Sequence, residues 1–389
     1  MRNSSRFQML GAMALAAFVT VPGVSGQSGG PGAQCDDDIV LFNNQGCSSP
    51  CCSQSPPNSG HYVFPHKNVE NVDIRANSSV LSVSFPNLQA VAKRLRISYN
   101  YPGAITSISL PALFTAGAID ISNNPSLGAL DLPHLSSIAN DEYEAYLRVQ
   151  SNASLTTLSV PKLDRVIASE AGSAFVHVRY NPLLTAVELP LLRSIEAWED
   201  YSEAYLFVSN NDSVGTIAMD NLQRLAGGSQ SISYLVIFDM PQLTELSFPQ
   251  LTELLPTGSA DDFSELTVGT SPNLGEFVFP SLERVTLLQL SGLKGTHRAM
   301  FPRLSELQYL WLFRNCQDEQ SSLKIYLCSD EPVMDMLFGN DDGLCGPSGY
   351  MLYSPNAENQ AECEANSFCE PFVPEVTECR CNAVGTCLL

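Results

Sequence analysis

The sequence predicts a mainly β fold: a right-handed parallel β-helix, or solenoid, of about nine to ten short coils between disulfide-rich caps. Three observations predict it. Residues 61–316 repeat a unit of about 22 residues, apolar residues within each unit follow period two, and residues 53–315 contain no cysteine although the chain has 12.

The repeat decides the fold. Aligned units read AIDISNNPSLGALDLPHLSSI (118–138), YLRVQSNASLTTLSVPKLDRV (146–166) and FVHVRYNPLLTAVELPLLRSI (175–195), with further copies from 71 to 307. Each unit is marked by a proline (Pro86, Pro111, Pro133, Pro161, Pro190, Pro249, Pro280, Pro302), Asp220 filling one slot. Surplus residues such as ANDEYEA, EAWEDYSEA and LPTGSADDFS fall at one place, between units, where a loop leaves a stacked core undisturbed. Within a unit, Leu147-x-Val149, Leu158-x-Val160 and Leu163-x-x-Val166 predict three short strands pointing into a common interior. One coil buries about seven aliphatic side chains at about 1.5–3 kcal/mol each. Ordering about 22 residues costs roughly 1.5 kcal/mol apiece, so a single coil cannot fold and stacking must supply the rest.

Asparagine recurs three residues after the second inward position, at Asn77, Asn100, Asn124, Asn152, Asn181, Asn211 and Asn315. It tolerates left-handed geometry and can bond neighbouring backbone at a tight corner, which predicts an asparagine ladder. Asn77, Asn152 and Asn211 also begin N-x-S sequons. As glycan acceptors they should face solvent. As ladder members they should turn inward, and poor occupancy is expected.

The flanks set the context. Residues 1–26 read as a signal peptide: Arg2 and Arg6, an apolar stretch Met9–Val21, and small residues at Val24-Ser25-Gly26. Residues 27–60 read as a linker and N-terminal cysteine-rich cap, 61–316 as the repeat domain, and 317–389 as a C-terminal cysteine-rich cap. No other segment has the length and apolarity of a membrane span. A secreted or extracellular protein, at the cell surface or in a wall, is expected. There the even set Cys35, Cys47, Cys51, Cys52, Cys316, Cys328, Cys345, Cys363, Cys369, Cys379, Cys381 and Cys387 reads as disulfides, with the pairing open. The formal charge is −21. Without Arg2 and Arg6 it is −23, 18 basic against 41 acidic residues, which disfavours nucleic acid and anionic lipid.

The motif L-x-I-x-x-N-x-x-L-x-x-L-x-L-P-x-L-x-x-I, as in Ile119 to Ile138, resembles the receptor L-domain superfamily. NNPSLGALDLPHL is similar to its fungal and protist cell-surface and cell-wall-organisation members. The resemblance spans 61–316 and implies a leucine-rich-repeat-like β-helix working in extracellular recognition. The fungal wall proteins carry a lipid-anchor tail and the growth-factor receptors a span and kinase; this sequence shows neither pattern, and a chain without them is the expectation. Residues 345–387 loosely resemble an EGF-like module through Cys379-x-Cys381, with a last loop too short for one.

No catalytic motif or cofactor signature is present. The five histidines are dispersed, and Asn340-Asp-Asp342-Gly343 lacks a full calcium loop and reads as a turn. A carbohydrate-active β-helix enzyme needs clustered carboxylates. The outward position of the first strand instead alternates Asp73, Arg96, Asp120, Arg148, His177, which predicts ion pairing. Beside it runs an aromatic column, Tyr146, Phe175, Tyr205, Tyr234 and Tyr309, accompanied by Phe207, Phe238, Trp311 and Phe313. Such residues form either a partner-binding face for an extracellular protein or glycan, or a stripe that the corner insertions bury. The reading is a non-catalytic recognition or scaffold protein. Its competitors are that enzyme and a purely structural wall or matrix component.

Overall fold

A computed structural model describes residues 38–42, 53–54, 60–100, 105–170, 172–254, 263–294, 296, 298–313, 323–327, 335–339, 350–353, 380–381 and 387–388. All lie in the compact unit Cys35–Leu389. The described residues are mainly β, without a helix, and their strands form long parallel sheets of the kind a solenoid makes.

Each repeat contributes a long strand, a three-residue strand and a third short strand. Ala145–Gln150, Thr157–Ser159 and Arg165–Ala168 are one such set. Long strands pair in parallel with the long strands of adjacent coils: Ala145–Gln150 lies between Thr115–Ser122 and Ala174–Arg179. Period two sets the inward face of the 145–168 coil. Leu147, Val149, Leu158 and Val166 all point inward and are buried in one continuous core.

Two corners recur because the sequence repeats their turn chemistry. At the proline corner the Leu163 N–H donates to the Val160 carbonyl across Pro161, and the Leu135 N–H to Leu132 across Pro133. Proline's fixed φ suits the second position of such a turn. The residue before each proline is an interior plug. Phe248, Phe279 and Phe301 stack there at 5.5 and 5.6 Å, and Phe64 and Phe85 at 4.9 Å.

The asparagine corner divides its labour between two residues. Left-handed backbone falls on the residue before the asparagine: Ala76, Tyr99, Asn123, Ser151, Tyr180 and Asn210, with φ of 53–55°. The asparagines themselves make the bonds. The Asn152 N–H donates to Asn181 Oδ1 (3.1 Å), and the Asn181 N–H to Asn211 Oδ1 (2.9 Å). Their Nδ2 groups donate to carbonyls one coil back, Asn152 to Ile121 (3.0 Å) and Asn181 to Val149 (3.0 Å). Asn77, Asn100 and Asn124 continue the ladder. Asn315 lies outside the described residues. Met240, Ser271 and Leu293 take the later places, with Asp239, Thr270 and Gly292 left-handed before them.

The parallel ladder runs past both boundaries drawn from the repeat. Ile39–Phe42 pairs with Asn68–Arg75, Asp335–Gly339 with Glu306–Phe313, and Leu323–Leu327 with both Arg298–Phe301 and Tyr350–Tyr353. These flanking strands lack the proline and asparagine signature, so the repeat does not betray them. Arg380–Cys381 pairs antiparallel with Cys387–Leu388, placing Cys381 opposite Cys387. Residues 1–26, the turn at 340–343 and the cysteine side chains lie outside the described residues.

Candidate functional site

The outward side of the long strands carries the candidate residues in columns set by the register. Ala118, Tyr146, Phe175, Tyr205 and Tyr234 are successive partners in one column. The four rings stack with centroids 4.7, 4.6 and 4.6 Å apart and planes within 8° of parallel. That spacing matches the strand-to-strand distance of about 4.8 Å, so the backbone sets the ring pitch. Tyr146 and Phe175 are buried, while Tyr205 and Tyr234 are half-buried. Burial pushes up the pKa of Tyr146, Tyr205 and Tyr234, keeping their hydroxyls protonated.

Of the other aromatics, half-buried Phe207 meets the His177 ring edge-on at 5.1 Å. Half-buried Phe238 lies against Gly269, where a Cβ would approach its ring to 2.7 Å. Tyr309 and Trp311 stand apart, on a strand separated from Tyr234 by Glu265 and Leu287 in the column. The side chain of Phe313 lies outside the described residues. The sequence thus finds one real stack and a separate distal pair, and the stack offers a partner only its half-buried members.

The neighbouring column reads Asp73, Arg96, Asp120, Arg148, His177, each beside the next. Arg96 pairs with Asp120 at 3.5 Å and Arg75 with Asp73 at 2.6 Å. The Arg148 guanidinium lies 4.8 and 5.1 Å from the Tyr146 and Phe175 ring centres. His177 is 9 % exposed, and neither ring nitrogen has a hydrogen-bond partner. Burial, with Arg179 and Arg148 adding repulsion, lowers its pKa to about 4.

The corner between the third and long strands supplies aromatics that sequence reasoning passed over: Tyr143, Trp198 and Tyr201, 58 %, 56 % and 70 % exposed. Their signal was present, since each sits inside an acidic insertion. These loops are stitched to one another. The Tyr201 N–H donates to the Ser229 carbonyl (2.9 Å), its hydroxyl to Gln230 Oε1 (3.0 Å), and the Gly228 N–H to the Ser202 carbonyl (2.8 Å). At Gly228 a Cβ would stand 1.6 Å from the Glu199 carbonyl oxygen, so only glycine allows the loops to meet.

The first inserted loop forms a ledge. In the preceding coils the third strand runs directly into the long one, as in Ala90–Ser98 and Thr115–Ser122. The next coil inserts residues 141–144, which overhang small Ala118. A groove of about 480 Å³ results, lined by Lys93, Arg94, Glu142, Tyr143, Glu144 and Tyr146, among others. A register shift between Val91 and Arg94 places Lys93 there, with Gly117 packed against its carbonyl. Asn140 fixes the loop, its Oδ1 accepting the N–H groups of Glu142 and Tyr143 at 3.1 Å each.

The sequon asparagines lie away from this corner. Asn77, Asn152 and Asn211 are each at most 1 % exposed, and each uses its Nδ2, the atom a glycan would occupy, on backbone carbonyls.

No family model matches this chain, and no curated protein or solved structure matches it either.

Proposed function

We propose that the protein is a non-catalytic extracellular recognition or scaffold protein that meets a protein or glycan partner through the outer surface of its coils. One observation carries this reading. Insertions at a single corner are tied to one another by backbone hydrogen bonds and hold Tyr143, Trp198 and Tyr201 in solvent. Rigid, exposed aromatics give large contact area at low entropic cost. The half-buried Tyr205 and Tyr234 extend that surface along the long-strand face.

The finer architecture belongs to the same proposal: a right-handed helix of about nine to ten coils, disulfide-capped, leucine-rich-repeat-like and akin to the receptor L domains. So does secretion directed by residues 1–26. The alternation of Asp73, Arg96 and Asp120 favours recognition over glycoside cleavage, because a cation stands between the two carboxylates where a glycosidase needs a facing carboxylate pair. Binding of the purified chain to an immobilised glycan library and to surface proteins tests the reading. Saturable binding that falls on combined Tyr143→Ala, Trp198→Ala and Tyr201→Ala substitution is expected. Absence of binding in both formats, or binding indifferent to all three, overturns it.

A further inference from the structure

The ledge groove has a composition that selects its ligand. Two cations and two carboxylates face it, so it has no excess of either sign. Lys93 is also matched by Glu70 at 3.6 Å, and Glu70, then Glu142, raise its pKa. A strongly anionic or cationic ligand would leave one pair of these groups opposed to it. A neutral ligand rich in hydroxyls uses both kinds, since every hydroxyl donates and accepts.

The aromatic content points the same way. Tyr143 is 58 % exposed on a loop that Asn140 holds in shape, and it lines the groove with Tyr146, the first ring of the stack. Arg94 lines the groove beside Tyr146, bringing a donor-rich group to the same wall. A flat ring beside convergent polar groups suits a ligand with an apolar face and a polar rim. A volume of about 480 Å³ falls within the range of small-molecule sites, about 300–1,000 Å³.

We propose that this groove is a carbohydrate subsite: one or two neutral sugar rings lie on Tyr143, with hydroxyls bonded to Arg94, Glu142 and Glu144. The proposal rests on the recognition reading above and names the class of partner it takes at this corner. Trp198 and Tyr201 lie on a later coil and are not part of the subsite.

Saturation-transfer NMR on the full chain tests it. The probes are the methyl glycosides of glucose, galactose, mannose and N-acetylglucosamine, together with cellobiose and chitobiose. At least one probe should receive saturation, strongest on the ring hydrogens of one face. Tyr143→Ala should weaken that binding roughly three- to tenfold, the worth of one ring contact. Arg94→Ala should weaken it about tenfold. Leu191→Ala, at an exposed site outside the groove, should leave it unchanged. Tyr143 is exposed, so unchanged circular dichroism in its variant separates lost binding from lost fold. No saturation of any probe, or binding that survives both Tyr143→Ala and Arg94→Ala, overturns the subsite. A chain that captures surface proteins but no probe sinks the subsite alone, and one that binds neither sinks the recognition reading with it.

Discussion

Truncating Asn181 to alanine should destabilise the protein far more than removing one solvent-exposed amide. Asn181 Oδ1 accepts the Asn152 N–H at 3.1 Å, and its Nδ2 donates to the Val149 carbonyl at 3.0 Å, in surroundings where Asn152 and Asn181 are 0 % exposed. Alanine leaves the buried Asn152 N–H without its acceptor and takes one donor from the buried Val149 carbonyl, at about 1–3 kcal/mol each. The expected loss is therefore about 2–6 kcal/mol. Asn273 is the internal control: it makes a single bond of the same chemistry, Nδ2 to the Pro241 carbonyl at 2.7 Å, but at an exposed site. Asn273→Ala should cost less than about 1 kcal/mol, because water replaces the amide. Urea unfolding followed by far-ultraviolet circular dichroism gives both numbers, provided the slope with denaturant is unchanged. Equal losses at Asn181 and Asn273 would falsify the claim that the ladder stabilises the coils.

Expression in a glycosylating host should leave Asn77, Asn152 and Asn211 unmodified, because their amide nitrogens are buried and bonded; a mass drop on glycosidase treatment matching three N-glycans contradicts this. His177 should make stability fall in acid. Its pKa is about 6.5 unfolded and about 4 folded, so the unfolded chain binds the extra proton between those values and stability rises with pH. Its full contribution is present above pH 6.5, and about 3 kcal/mol is lost by pH 4. His177→Phe, placed among Phe175, Tyr205 and Phe207, should flatten that part of the profile relative to the parent; an identical profile refutes the assignment. Leu147→Ala should cost about 2–5 kcal/mol by leaving a cavity in the core. Deleting 141–144 should cost less, since residues 137–140 and Ala145 keep their ladder partners. The opposite order in thermal melts would mean that the loop, not the core, holds this coil.

Much of the coil was readable because each of its parts has a local chemical cause. Proline marks one corner, asparagine the other, and Leu147-x-Val149 announces the inward face. The register of Tyr146, Phe175 and Tyr205 followed from aligning the units on their apolar, asparagine and proline positions. What escaped depends on neighbours that sequence spacing does not reveal. The left-handed residue is Ala76, Tyr99 or Ser151, which share no side-chain feature, and the conformation recurs at Asp239 and Thr270 where no asparagine follows, so the corner itself imposes it. The groove needs Ala118, Gly117 and the Asn140-bound loop at once, and these come from different coils. A free loop over 139–145 was too generous, since Ala139 and Asn140 pair with Ile167 and Ala168.

The ladder's early end gives the molecule a direction. From Asn77 to Asn211 each coil is fastened to the next by a buried side-chain amide, whereas the side chains of Met240 and Leu293 can contribute only packing at the same place. Two halves of similar core composition therefore differ in how they come apart. Amide protons near Asn124 and Asn152 should exchange by whole-segment opening, and those beyond Met240 through smaller, more frequent openings. Pulled from both termini, the chain should peel from its C-terminal coils first, leaving the asparagine-bound half as the last part to yield.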